Sequence, residues 1–243
     1  MLWRKFKLDW KYAIGELAIV TVGVLIALAV GQWNSDRLAV AQEAAYVSRL
    51  MSDIDKNIRH LEDQMDAVDQ KQESLARVAD QLRSRQISNR LEFFQDIVIG
   101  ANYGWNQEVA RRATYDDLLG SGNFGLINDH RVRILISGYY DYFEGAVNRT
   151  EERETEYPNL TYELIPRATT AGDEGVVWER SVEPNLSPDR VERIYQNILD
   201  SDLEALTTAE ANFGNFVKAI SLSQLEKAKT LRTTLENYLA TLS

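Results

Sequence analysis

The 243-residue chain contains no cysteine. Disulfides, thiolate metal sites and cysteine nucleophiles are therefore all excluded. Histidine is nearly missing as well. His60 and His130 stand alone, so zinc sites built from His and Cys lack a ligand set, and the Glu-x-x-His pair of di-iron bundles does not occur. Positive charge is in deficit. A net charge of −10 argues against a nucleic-acid partner, because phosphate binding needs clustered Lys and Arg. No Gly-x-Ser-x-Gly elbow appears, and the adjacent Asp116 and Asp117 would point in different directions on a helix. The acidic run Glu151, Glu152, Glu154 and Glu156 reads as a solvated face. The expectation is a protein that is not an enzyme and carries no cofactor.

Breakers are scarce and segregated. Neither glycine nor proline occurs from Gln32 to Ile99, and all four prolines lie at Pro158, Pro166, Pro184 and Pro188. That second stretch, with Gly172 and Gly175, reads as a loop region. Gly120-Ser121-Gly122-Asn123-Phe124-Gly125 matches the dinucleotide fingerprint G-x-G-x-x-G. The fingerprint works in a strand-to-helix turn; here a helical segment precedes it, so a helix-ending turn with glycines at positive φ is the better account.

What is present begins with a long uncharged run. Leu17 to Val30 carries no charge, and Tyr12 to Trp33 is 22 residues long, roughly 30 Å as a helix, the thickness of a hydrocarbon core. Trp10, Tyr12 and Trp33 flank it as interfacial residues do. Residues 1–12 hold four basic residues against one acidic, whereas residues 34–243 hold 23 against 35. The positive-inside rule keeps the basic end in the cytoplasm. Ala39-Val40-Ala41 resembles a signal-peptide cleavage site, but it lies far from the apolar run. The expected organisation is a cytoplasmic tail at 1–11, a transmembrane helix at 12–33 and an extracytoplasmic domain at 34–243.

Within the span, Gly15, Gly23, Ala27 and Gly31 fall on one helical face, with Ile19 filling the missing step. Small residues at this spacing let a neighbouring helix approach closely inside lipid. Glu16 is an intramembrane carboxylate about one turn from Tyr12, placed for a polar contact with a partner or with Lys11.

Beyond the span the pattern turns amphipathic. Val40, Ala44, Val47, Met51, Ile54, Ile58, Leu61, Met65, Val68, Gln72, Leu75, Ala79 and Leu82 alternate steps of four and three, the spacing of a helical seam. A long helix over about 35–87 follows. Its expected mate is the C-terminal segment, where Phe213, Val217, Ile220, Leu231, Leu235, Tyr238 and Leu242 repeat the spacing, with weaker fits at Gln224 and Ala228. Two such helices pair antiparallel in a bundle; a homo-oligomeric coiled coil through the first seam is the alternative. The middle, 88–187, is broken. It holds helical segments at Leu91–Ile99 and Thr114–Leu119 and a helix over Asp129 to about Glu156 with Val132, Leu135, Ile136, Tyr139, Tyr140, Phe143 and Val147 inward. Ser187-Pro188 marks a helix start, and C-terminal helices occupy about 188–242. The fold class is all-α. The aromatic cluster Tyr139, Tyr140, Tyr142 and Phe143, with Tyr103 and Trp105 upstream, reads either as core packing or as a protein interface built on Trp105, Tyr139, Tyr140 and Tyr142.

Lys11-Tyr12-Ala13-Ile14-Gly15-Glu16, then Gly23 to Leu28, then Trp33-Asn34 resembles the opening of an uncharacterised family of bacterial single-span inner-membrane proteins. Thr114-Tyr115 through Leu118, Gly122, Leu126-Ile127-Asn128 and Tyr139-Tyr140 look like the second signature of that family. The resemblance implies a bacterial inner membrane with the domain in the periplasm. It brings no catalytic residues. The partners expected are the lipid bilayer and other integral membrane subunits, with a homo-oligomer left open. The function expected is a non-catalytic accessory or scaffold subunit of an inner-membrane complex, of the photosynthetic or respiratory type. The alternative is a periplasmic sensor or ligand-binding module, although a basic segment of about 12 residues leaves no room for an output domain.

Overall fold

The computed structural model describes residues 10–102, 110–151, 155–171 and 178–242. Its longest element is α1, Trp10–Ser84, 75 residues without a break. At about 1.5 Å per residue this rod is roughly 110 Å long. Freedom from glycine and proline between Gln32 and Ile99 is what allows the apolar segment and the amphipathic segment to share one helix. From Ile14 to Gln42 every α1 side chain is exposed, Ile19 by 75 %. One helix near the N-terminus is thus long and apolar enough to cross a membrane. Among the described residues the first buried side chain is Glu43.

The rod ends at Ser84 rather than at about 87, because Arg85 turns into the left-handed region with φ 54°. Asn89 starts α2, Arg90–Ala101, by accepting from the backbone N–H groups of Leu91 and Glu92, the capping role of a short amide. After α3, Ala113–Gly120, Gly122 at φ 72° redirects the chain into a 3-10 turn at Asn123–Leu126. The Gly120–Gly125 motif therefore ends a helix, with a single glycine at positive φ among the described residues. Asp129 caps α4, His130–Glu151, through the N–H groups of Arg131 and Val132. α5, Tyr157–Leu164, has Pro158 in its first turn, and α6, Pro188–Leu199, has Pro188 at its start, where a missing N–H costs nothing. α7, Leu203–Thr241, closes the fold.

The loop expected over the proline-rich stretch holds a hairpin instead. β1, Arg167–Ala171, pairs antiparallel with β2, Trp178–Val182, in a register that sets Arg167 opposite Val182. β-branched Thr169, Thr170 and Val182 sit in these strands, a preference that the prolines around them mask. Leu135, expected inward on α4, is 42 % exposed.

α7 runs antiparallel along α1. Ion pairs Asp55–Arg232, Glu62–Lys229 and Asp69–Lys218 march up one helix and down the other. The buried residues of α7 are Leu203, Thr207, Glu210, Gly214, Val217, Ile220, Ser221, Gln224, Ala228, Leu231 and Leu235, steps of four and three with Ile220 beside the stripe. On α1 the expected seam keeps Val47, Ile54, Leu61, Val68, Leu75 and Leu82 buried, while Met51, Ile58, Gln72 and Ala79 are half-buried. Leu50, Asn57, Lys71 and Val78 are buried in addition. The buried face is wider than a two-helix seam because α7 covers one flank of α1 and α2 and α3 cover the other.

Among the described residues the interior divides into two apolar cores. The one nearer the exposed half of α1 joins Val47, Leu50, Ile54 and Leu61 to residues of α3, α4 and the last third of α7. The distal one joins Leu75, Val78 and Leu82 to α2, α5, α6 and Leu203.

Candidate functional site

Burying a polar side chain is costly unless it is hydrogen-bonded, so the buried polar residues of α1 mark where the chain has invested specificity. They stand at Glu43, Asp53, Asn57, Lys71 and Ser74. Four of them hold main chain of the segments that wind around the rod. Glu43 accepts from the N–H of Asn128 at 2.6 Å and from the hydroxyl of Tyr238. Asp53 accepts from the N–H of Thr114 at 3.1 Å and from its hydroxyl at 2.7 Å, which caps α3 from across the bundle. Asn57 accepts from the N–H of Arg111 at 2.8 Å and donates to Tyr139 Oη at 3.1 Å. Lys71 Nζ donates to the carbonyl of Asn102 at 2.9 Å. These side chains act as rungs that set the height of each connecting segment along α1.

Lys71 also carries the most loaded interaction in the molecule. Its ammonium lies 2.7 Å from Glu210 Oε1 on α7, with the two side chains 3 % and 0 % exposed. Glu210 accepts a second bond from the hydroxyl of Thr155. Loss of hydration pulls the Lys71 pKa down to about 8, partly offset by the carboxylate beside it. Tyr157 on α5 packs against the same spot and donates to the carbonyl of Ile97 at 3.2 Å. Burial pushes its hydroxyl above the usual tyrosine range, and the charge of Glu210 adds to that. Gly100 on α2 is required here, because a Cβ would come within 2.7 Å of Leu75 and 2.9 Å of the Tyr157 hydroxyl. Charge, hydroxyls and a glycine contact thus meet where α1, α2, α5 and α7 converge. Periodicity singled out none of these partners; the cue was an ionisable residue on each stripe, Lys71 beside the seam of α1 and Glu210 on that of α7.

The residues singled out by sequence separate into four groups. Gly15, Glu16, Gly23, Ala27 and Gly31 are all exposed on the bare half of α1, and the space around the three glycines is open. Tyr139 and Tyr140 belong to the proximal core, so the packing reading applies to them, and the expectation of a surface interface at these two positions is corrected. Tyr140 stacks on Tyr115 at 4.4 Å between ring centres and meets Tyr139 edge-on at 5.0 Å. Tyr142 lies half-exposed on the outer side of α4, with Lys227 4.7 Å and Arg149 5.6 Å from its ring centre. Trp105 and Tyr103 lie outside the described residues. Beside the aromatic cluster, Ala110, Arg112, Tyr140, Phe143, Glu144 and Val147 line a cavity of about 300 Å³. Among the described residues no group of His, Asp and Glu could hold a metal ion.

A family model described as a family of unknown function (DUF6090) matches residues 16–153, from the exposed half of α1 through the end of α4. No curated protein and no solved structure matches the chain.

Proposed function

The chain belongs to the DUF6090 family of unknown function, and from that premise we propose that it is a non-catalytic, single-span accessory subunit of a larger inner-membrane assembly. In this reading the basic end stays in the cytoplasm, as the positive-inside rule directs, and the bundle stands in the periplasm of a bacterium. The observation that carries it is the continuity of α1. The same unbroken helix is bare from Ile14 to Gln42 and packed from Glu43 onward. A rod of this kind fixes the bundle relative to the span in both height and rotation. At 3.6 residues per turn, Gly23 and Ala27 lie roughly 120–180° around the axis from Glu43, Val47 and Leu50. Gly23 and Ala27, the centre of the small-residue stripe, therefore face the side of α1 opposite Glu43, Val47 and Leu50, where a neighbouring transmembrane helix approaches without colliding with the bundle.

The test is purification of the full chain in mild detergent with quantitative mass spectrometry of what accompanies it. Stoichiometric integral membrane partners are expected, and Gly23→Leu should deplete them while leaving the amount and fold of the chain unchanged. Partners retained in full by Gly23→Leu would refute the stripe as the contact. A second reading, a periplasmic ligand-binding module, is favoured by the cavity beside Tyr140 and Phe143, apolar at its floor and flanked by Arg112 and Glu144. A chain that purifies alone with a small molecule bound supports that second reading against the first.

A further inference from the structure

Along α4, Tyr140, Phe143, Glu144, Val147 and Asn148 recur at intervals of three and four, so all five share one face of the helix. Ala110 and Arg112 stand opposite that face, and the cavity of about 300 Å³ lies between the two walls. The walls are fixed in place. Arg111, between Ala110 and Arg112, is clamped to Asn57 by its N–H at 2.8 Å and by its carbonyl at 3.2 Å. Tyr140 Oη donates to the same carbonyl at 3.4 Å. The chemistry of the cavity is graded from floor to rim. Ala110, Tyr140, Phe143 and Val147 are buried and make an apolar floor. Glu144 and Asn148 are exposed and Arg112 is half-buried, so the rim is charged and wet. On that rim Arg112 Nη1 lies 3.5 Å from Glu144 Oε2. Among the described residues no hydrogen bond engages Glu144 Oε1 or the Asn148 amide.

A cationic donor, an anionic acceptor and an amide thus sit side by side above an apolar floor. Their complement is an anion and a cation carried on one carbon with an apolar body attached. Resting on the reading of this cavity as a ligand site, we propose that it binds a free α-amino acid with an apolar side chain. The α-carboxylate lies on the Arg112 guanidinium, the α-ammonium on Glu144, and the side chain on Phe143, Val147 and Tyr140. Charge-assisted hydrogen bonds to the two rim groups hold the head of the molecule. A carboxylic acid or an amine alone satisfies one rim charge and leaves the other without its partner. The volume sets the size of the body. At about 300 Å³ the cavity is at the lower end of ligand pockets and has room for roughly ten water-sized groups, which suits leucine and excludes a nucleotide or a lipid chain.

Isothermal titration calorimetry on the full chain in phospholipid nanodiscs tests this with three probes: L-leucine, 4-methylpentanoate, which lacks the ammonium, and 3-methylbutylamine, which lacks the carboxylate. Leucine should bind saturably, and each analogue at least about tenfold more weakly. Glu144→Gln, at an exposed position, should weaken leucine by about tenfold and leave 4-methylpentanoate unchanged. Val147→Phe fills the floor and should abolish binding of leucine; Glu144→Gln keeps the test open if that variant does not fold. Either analogue binding as tightly as leucine would overturn the proposal and leave the cavity a ligand site of another class. Leucine binding that survives both substitutions would overturn it as well, by placing the site elsewhere. No binding of any of the three probes would overturn both the amino-acid proposal and the ligand-site reading on which it rests.

Discussion

The two halves of α1 share a backbone and almost nothing else. From Ile14 to Gln42 every side chain of the helix is exposed, and from Ile14 to Val30 it is apolar on nearly every side; from Glu43 to Leu82 it is apolar along one broad face and charged on the opposite one. A helix that is hydrophobic all round wants lipid or a complete protein shell. A helix with one apolar face wants a neighbour on that face, and here α7 supplies it. The rod therefore has no structural boundary where its surface changes character. The boundary is purely one of side-chain chemistry, and the substitutions that break the comparison are those that treat both halves alike.

The largest effect belongs to the buried pair of Lys71 and Glu210. Lys71→Met leaves Glu210 buried without its counter-charge. Breaking one side of a buried pair costs about 3–5 kcal/mol. Denaturant unfolding followed by circular dichroism in micelles measures it. A loss below about 1 kcal/mol would mean that Glu210 reaches water in the folded chain, against its complete burial.

Next comes a matched pair of isoleucines, one from each half. Ile54 is fully buried in the proximal core and Ile26 is exposed on the apolar half of α1. Ile54→Ala should destabilise the bundle by about 2–5 kcal/mol, the range for removing a buried aliphatic group and leaving a cavity. Ile26→Ala should change bundle unfolding by no more than about 0.5 kcal/mol. Equal losses at both sites would show the bare half to be packed against something in the isolated chain, and the contrast drawn above would fail.

How much of this could be read from residues alone follows the same division. The long apolar helix near the N-terminus was legible because a charge-free run of this length is long enough as a helix to cross a membrane, and the α1–α7 pairing was legible because the seam of α1 alternates steps of four and three throughout and that of α7 does so except across Gln224 and Ala228. The width of the buried face of α1 was not. Asn57 and Lys71 are polar, and periodicity counts polar residues as surface unless their partners are known. Those partners, Arg111, Asn102 and Glu210, come from 31 to 139 positions away, a separation no local pattern spans. The hairpin was hidden for a different reason: each strand is five residues long and lies among prolines, so turn signals outweighed strand propensity. The aromatic cluster was ambiguous in principle, since Tyr139 and Tyr142 sit one helical turn apart, one in the core and one at the surface.

The smallest effect per unit of change is the dependence of stability on pH, and its sign is the informative part. In the folded chain Lys71 gives up its proton near pH 8, while in the unfolded chain an ordinary lysine holds it to about pH 10.4. Between these limits the unfolded state binds more protons, so the ionisation of Lys71 makes stability rise with pH, by up to about 1.4 kcal/mol per pH unit. Below pH 8 both states are protonated and the cost of burying the ammonium is present in full. Other groups titrate in the same window, so the quantity to measure is the difference between the wild-type chain and the variant carrying Lys71→Met with Glu210→Leu. The wild-type chain should gain on that variant as pH rises from 8 to 10. Parallel pH profiles would place the Lys71 ammonium in contact with water, and the distinction between this sealed pair and the exposed half of α1 would lose its footing.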